Sequence, residues 1–271
     1  MLHIVAHPHS PALKPFVASF HYHESEFPAI IERILPNGQA HLMVNLDEDE
    51  FRTYGGPDCR TVCRAGGAVL VGPHGRATAI DTAEQRRLVA VEFKPGGAAA
   101  FLPMPMSETR DQMVELADIW DSDGRVLRER LCEAPTPAAK LRTLEAALLE
   151  RLAGTFDPQI SFAIALLESG VSVAETGERL GLLPKTFVRR FRHHSGLSPK
   201  RFARVRRLQH IVASVAGRAH VDWCRLAAEH GYTDQAHLIH DFRNLTGMTP
   251  AAYHPSSRQR RNHVPLAPIV S

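Results

Sequence analysis

The chain has 271 residues, room for about two domains of ordinary size, and 44% of them are hydrophobic, enough for a sizeable core. Four cysteines are too few for a disulfide scaffold and no apolar run is long enough to span a bilayer, which excludes a disulfide-stapled module and a helical membrane protein. The net charge of +3 conceals a division: residues 1–157 carry 16 basic against 22 acidic side chains, residues 158–271 carry 16 against 7.

The N-terminus has neither a basic leader region nor a continuous apolar core, so a soluble, reducing, cytoplasmic setting is expected. Residues 1–105 then read mostly as strand and turn. Short apolar or alternating runs lie at 16–22, 30–35, 41–46, 68–71 and 88–93. Pro36-Asn37-Gly38, Gly55-Gly56-Pro57, Gly66-Gly67, Gly72-Pro73 and Pro95-Gly96-Gly97 interrupt them. Short strands between such breakers predict an antiparallel sandwich or barrel. From Asp111 to Leu152 the apolar period becomes helical, with breaks at Asp121–Gly124 and Pro135–Pro137. Leu141, Leu144, Leu148 and Leu152 form an apolar seam, either a face turned to its own domain or a homodimer surface. Gly154 to Pro158 is the expected boundary, with Pro158 placed to begin the next helix.

Between Val171 and Tyr253 one pattern occurs twice. The first copy is Gly181, Phe187, Phe191, Gly196 and Pro199; the second is Gly231, Leu238, Phe242, Gly247 and Pro250. Each reads as an amphipathic helix, a turn containing glycine and a second helix closed by glycine, the layout of a helix-turn-helix. In the helix from Pro184, Phe187 and Phe191 lie on one buried face, and Lys185, Arg189, Arg192 and His193 fall opposite them. Arginine there can donate bidentate hydrogen bonds to guanine, and lysine can reach base acceptors or phosphate. In the second copy Ala236, His237, His240, Arg243 and Asn244 face outward, with Gln235 at the helix start and Asp234 placed as its N-cap. Gln235 suits adenine and Ala236 a thymine methyl group. No acidic residue occurs between Glu178 and Asp222, while eleven Lys and Arg fall in that interval, as polyanion binding requires. Beyond Tyr253, Pro255, Pro265 and Pro268 with Arg258, Arg260 and Arg261 read as a disordered basic tail.

The segment GYTDQAHLIHDFRNLTGMTPAAY, residues 231–253, resembles the second helix-turn-helix signature of the AraC family of bacterial transcription regulators. GLLPKTFVRRFRHHSGLSPKRFARVRRLQHI, residues 181–211, resembles its first unit and the linker helix that follows. RILPNGQAHLMVNL, LVGPH and VEFKPGGAAAF are similar to the N-terminal domain of many such regulators. The resemblance implies two helix-turn-helix units joined by a linker helix at residues 199–215, entering successive major grooves about 34 Å apart. Base-reading positions carried over residue by residue are Lys185, Val188 and Arg189, then Gln235, Ala236, His237, Ile239 and His240. Phosphate contacts are expected from Arg190, Arg192, His193, Lys200, Arg201, Arg243 and Asn244. Two positions depart from the family pattern. His240 stands where arginine is frequent, and Gly177 where a small alanine is usual; the glycine costs its helix about 1 kcal/mol. Double-stranded DNA and RNA polymerase are the implied partners, with a small-molecule effector and a second copy of the chain as further candidates.

The expected architecture is thus an α+β multidomain chain. A β-rich sensor domain at 1–110, barrel- or sandwich-like, precedes a helical connector at 111–155. An all-α tandem helix-turn-helix domain at 156–255 and a disordered tail at 256–271 complete it. No phosphate loop, dinucleotide fingerprint or catalytic motif occurs, so no enzyme, catalytic residue, metal or cofactor is expected. Two alternatives stay open. His21 and His23, with His41 and His74, invite a cupin-like metalloenzyme reading, although no fixed ligand spacing supports it. Cys59 and Cys63, flanked by Arg60 and Arg64, suggest a redox or alkylation sensor.

Overall fold

The computed structural model describes residues 2–25, 30–55, 61–218 and 221–266. The N-terminal half builds β1 (Leu2–Ala6), β2 (Val17–Glu24), β3 (Ile31–Ile34), β4 (His41–Asn45), β5 (Glu50–Gly55), β6 (Thr61–Gly66), β7 (Ala68–Val71), β8 (Thr78–Asp81), β9 (Arg87–Phe93) and β10 (Met113–Glu115). Three short helices follow: α1 (Leu116–Trp120), α2 (Ser122–Glu133) and α3 (Pro137–Arg151). The C-terminal half contains α4 (Pro158–Glu168), α5 (Val173–Arg179), α6 (Pro184–Ser195), α7 (Pro199–Val215), α8 (Trp223–Glu229), α9 (Gln235–Thr246) and a last strand, β11 (His263–Pro265).

The strands make two open antiparallel sheets, ordered β1-β2-β9-β4-β7-β10 and β11-β3-β8-β5-β6. This is the sandwich-like alternative; the barrel does not close. Alternation explains the first sheet's faces. Phe20, Tyr22, Leu42, Val44, Val89 and Val91 point to one side, where they share a buried core with Leu116, Leu127, Leu131, Leu144 and Leu148. The helices of the connector therefore belong to the N-terminal core. Leu141, Leu144 and Leu148 are buried there and Leu152 packs against it, so the seam faces its own domain and offers no dimer surface. Lys140 donates from Nζ to the Ala134 carbonyl at 2.7 Å, closing the end of α2.

Strands β1, β5, β6, β8, β10 and β11 escape the sequence reading. β6 is mostly exposed, so its residues lack the alternation that marks a half-buried strand. β11 corrects the disordered-tail expectation over residues 256–266. Its pairing with β3 sets Val264, 3% exposed, into the C-terminal core and supplies backbone partners that composition does not announce.

The second core is formed by Ile160, Ile164, Phe187, Phe191, Phe202, Leu208, Leu238 and Phe242 among others, and it includes Leu35 from the end of β3. Leu35 thus anchors the N-terminal domain in the helical one. Around it, Gln209 Nε2 donates to the Pro36 carbonyl at 2.8 Å, and the Ala77 amide donates to the Leu245 carbonyl at 2.8 Å. Gly38, at φ +75°, lies against Phe202 and Val205 of α7.

Candidate nucleic-acid interface

The repeated pattern folds as two helix-turn-helix units, α5–α6 and α8–α9, joined through α7. Within α6, Phe187 and Phe191 are buried and stack edge to face at 5.8 Å, and Phe191 meets Phe202 of α7 in the same way at 5.5 Å. These contacts fix the helix roll, so Lys185, Val188, Arg189, Arg192 and His193 are left exposed in one row. Pro184 occupies the first turn, but the N-cap is Leu183, 76% exposed and without a side-chain cap bond. Gly196, at φ +77°, ends the helix, and a side chain there would strike Pro73 of the N-terminal domain.

The second reading helix is held differently. Asp234 accepts from the His237 amide at 2.7 Å, the expected N-cap. Leu238, Asp241, Phe242 and Leu245 form the buried stripe. Gln235, Ala236, His237, His240, Arg243 and Asn244 are exposed, and Ile239 is half-buried.

An acid in an otherwise apolar stripe needs partners, and Asp241 has two. Arg204 Nε on α7 donates to Asp241 Oδ1 at 2.7 Å, and the Tyr232 hydroxyl donates to Oδ2 at 3.1 Å. Burial, reinforced by the Asp241 charge, raises the Tyr232 hydroxyl above its ordinary value, keeping it a donor. Arg207 lies over the Tyr232 ring at 4.9 Å. This network ties α9 to α7. The 238, 241, 242, 245 spacing carries the signal for it, since it places the acid on the buried face.

Two expected phosphate contacts are otherwise engaged. Arg190 donates to Asp157 Oδ2 and Gln159 Oε1, both at 2.6 Å, bracing α6 against the start of α4. Burial alone would raise the Asp157 carboxyl, but the bonds from Arg190 and the Ile160 amide outweigh it and hold it below its usual range. Arg201 turns toward the N-terminal domain and packs over Gly75, where an added Cβ would lie 2.6 Å from its Nε. Lys200 is exposed.

Opposite the exposed row of α6 stands the N-terminal domain. Pro105 and Ser107 form the other wall of an open groove of about 540 Å³ whose α6 wall includes Lys185, Val188, Arg189 and His193. The helix thus faces solvent across a gap lined on its far side by the other domain.

Two families match the chain by sequence. Residues 6–115 match a domain described as of unknown function, and residues 176–256 match a helix-turn-helix domain. That second match runs from within α5 through the rest of both helix pairs and the linker. It is an AraC-type helix-turn-helix. Residues 176–256 are accordingly a DNA-binding domain of the AraC type, and they follow a β-rich N-terminal domain. No curated protein sequence matches it. Among solved structures it is similar to ToxT from Vibrio cholerae. An apo variant of ToxT is 10% identical with a TM-score of 0.46, covering 86% of this chain and 96% of that one. ToxT bound to (E)-4-(8-methylnaphthalen-1-yl)but-3-enoic acid is 9% identical with a TM-score of 0.45 over 86% and 97%. ToxT bound to an unsaturated fatty acid is 8% identical with a TM-score of 0.43 over 87% and 95%.

In the N-terminal domain His3, His21 and His23 lie close together on β1 and β2, while His74 stands in the turn after β7. His3 Nε2 lies 3.2 Å from His21 Nδ1, and His21 lies 3.6 Å from Glu92. Burial, then repulsion from His3, holds His23 near 4, and burial holds His41 near 4. His74 bonds the Gly72 carbonyl at 2.8 Å. Among the described residues no group of three His, Cys, Asp or Glu could hold a metal ion. Cys63 is exposed on β6, while Cys59 lies outside the described residues. No helix of the described residues is long and apolar enough to cross a membrane.

Proposed function

We propose that this regulator reads two half-sites in successive major grooves and that a signal received by its N-terminal domain governs access to DNA. The observation carrying the reading is the pair of reading helices. Each displays a solvated polar row opposite a buried apolar stripe, and one continuous 17-residue helix, α7, holds both. Lys185, Val188 and Arg189 would read the first half-site; Gln235, Ala236, His237, Ile239 and His240 would read the second. Arg192, His193, Lys200, Arg243 and Asn244 would hold phosphates and set register.

The groove beside α6 supports the regulatory part. A reading helix in a major groove is flanked by phosphate ridges on both sides, and Pro105 and Ser107 occupy one flank of α6. The described arrangement therefore suits the second half-site better than the first. Because α1 to α3 share the N-terminal core, residues up to about 155 would act as one regulatory unit, with 156–255 as the DNA-binding unit. RNA polymerase contact by the bound regulator belongs to the same reading.

Selection of genomic fragments by the full chain, followed by mobility-shift titration, tests this. A reproducible fragment bound at least tenfold more tightly than random DNA is expected. Equal affinity for all fragments at low salt defeats the reading.

A further inference from the structure

A second cleft, of about 800 Å³, lies between the two domains, on the side where Arg201 turns. Its lining gathers Arg64, Arg76 and Arg110 from the N-terminal domain and Arg201 from the start of α7. Only one acidic residue lines it, Asp111. That carboxylate is already committed: it accepts from the Gly75 amide at 2.7 Å and pairs with Arg110 at 3.4 Å. Arg64 is answered by Glu50 at 2.6 Å. Among the described residues no ion pair answers Arg76 or Arg201, which line the same cleft from different domains.

Like charges assembled at a partly desolvated domain interface repel. Burial and then the neighbouring Arg204 and Arg76 lower the Arg201 guanidinium from its ordinary value, and the charges of Asp111 and Asp241 offset this only in part. Thr53, Thr78, Gln112 and Ser198 add neutral polar groups to the lining, beside the apolar Ala77, Met113 and Leu197. Guanidinium forks bind phosphate and carboxylate bidentately. We propose that this cleft is the effector site and takes a small organic polyanion, phosphorylated or polycarboxylate, clamped between Arg76 and Arg201.

The inference rests on the proposed regulation through the N-terminal domain. An anion touching both domains binds tightest where both walls are in place, so it favours the described arrangement over any that parts them. That arrangement keeps Pro105 and Ser107 beside α6, so the anion weakens DNA binding.

The test uses the full chain with pyrophosphate and citrate as probes, titrated by calorimetry at fixed ionic strength, and then DNA affinity with each probe present. One-to-one binding of at least one probe is expected, with pyrophosphate and citrate separating the phosphate from the carboxylate source. The double variant Arg76→Gln/Arg201→Gln should weaken it at least tenfold, while Arg189→Gln, on the DNA-facing row, leaves it unchanged. Saturating probe should weaken DNA binding at least threefold in the parent chain and not in the double variant. Absence of binding by either probe, or equal binding by the double variant, overturns the site. Binding at the cleft with DNA affinity unmoved overturns its role as effector site. DNA binding measured without any probe reports separately on the regulator reading, which survives either failure.

Discussion

At the scale of single residues, the two reading helices divide their work unequally. Arg189 stands exposed in the middle of the α6 row with no ion pair among the described residues. Arg189→Ala should cost about 1–3 kcal/mol on a specific site and relax preference at one base pair. Anisotropy titrations on single-base variants of the site would show this, and equal weakening on random DNA would instead make Arg189 a phosphate contact. Asp241 matters in the opposite way, through the fold. Asp241→Ala leaves Arg204 and the Tyr232 hydroxyl without their shared acceptor, so urea unfolding should show a loss of about 3 kcal/mol. The outward row of α9 was legible in the sequence because helical periodicity separates it from Leu238 and Phe242. The intramolecular engagement of Arg190 and Arg201 was not legible, for a physical reason. Periodicity says which side of a helix is polar, but not whether a partner such as Asp157 or a neighbouring domain already occupies that side.

At the scale of elements, the helices were the more readable half. Pro158, Pro184 and Pro199 mark first turns, Gly196 and Gly247 mark ends, and α7 runs over the predicted residues 199–215. The strands on exposed edges were not readable, because pairing rather than side-chain pattern defines them. Gly177 on α5 offers a test of local energetics. A Cβ there would meet Phe187 at an ordinary 3.5 Å, so Gly177→Ala should stabilise the protein by about 0.5–1 kcal/mol through helix propensity alone. A destabilised variant in thermal melts would mean the glycine serves close packing after all. β11 offers another. Glu32 is almost fully buried and accepts from Ser256 at 2.6 Å, Arg260 at 2.8 Å and His263 at 2.9 Å. Burial alone would raise its pKa, but these bonds and charges hold it below the usual range. Ending the chain after residue 255 removes all three, so the N-terminal domain should melt at a lower temperature than in the full chain. An unchanged melt would show the strand to be dispensable.

For the whole molecule, pH acts in part through two half-buried histidines. His23 and His41 titrate near 4 in the folded chain against 6.5 when free. Between those values the unfolded chain binds more protons, so the stability they permit is complete above about pH 6.5 and is lost as pH falls toward 4. Tm should drop over that window, and His41→Asn should flatten the slope; an unchanged slope would acquit His41. The charge of the two reading helices also predicts which feels salt most, since α6 exposes Lys185, Arg189 and Arg192 and α9 exposes Arg243. Mutating α6 cations should reduce the salt dependence of DNA binding more than mutating α9. The strand β11 has a final consequence, for the order of synthesis. Its partner β3 leaves the ribosome some 230 residues earlier, about 10–50 s at bacterial translation speeds. Through that interval β3 is an uncovered sheet edge, the kind of surface through which chains aggregate. A nascent chain stalled before residue 263 should therefore depend on chaperones, and a rigid fusion placed directly after β11 should lower soluble yield where one at the N-terminus does not.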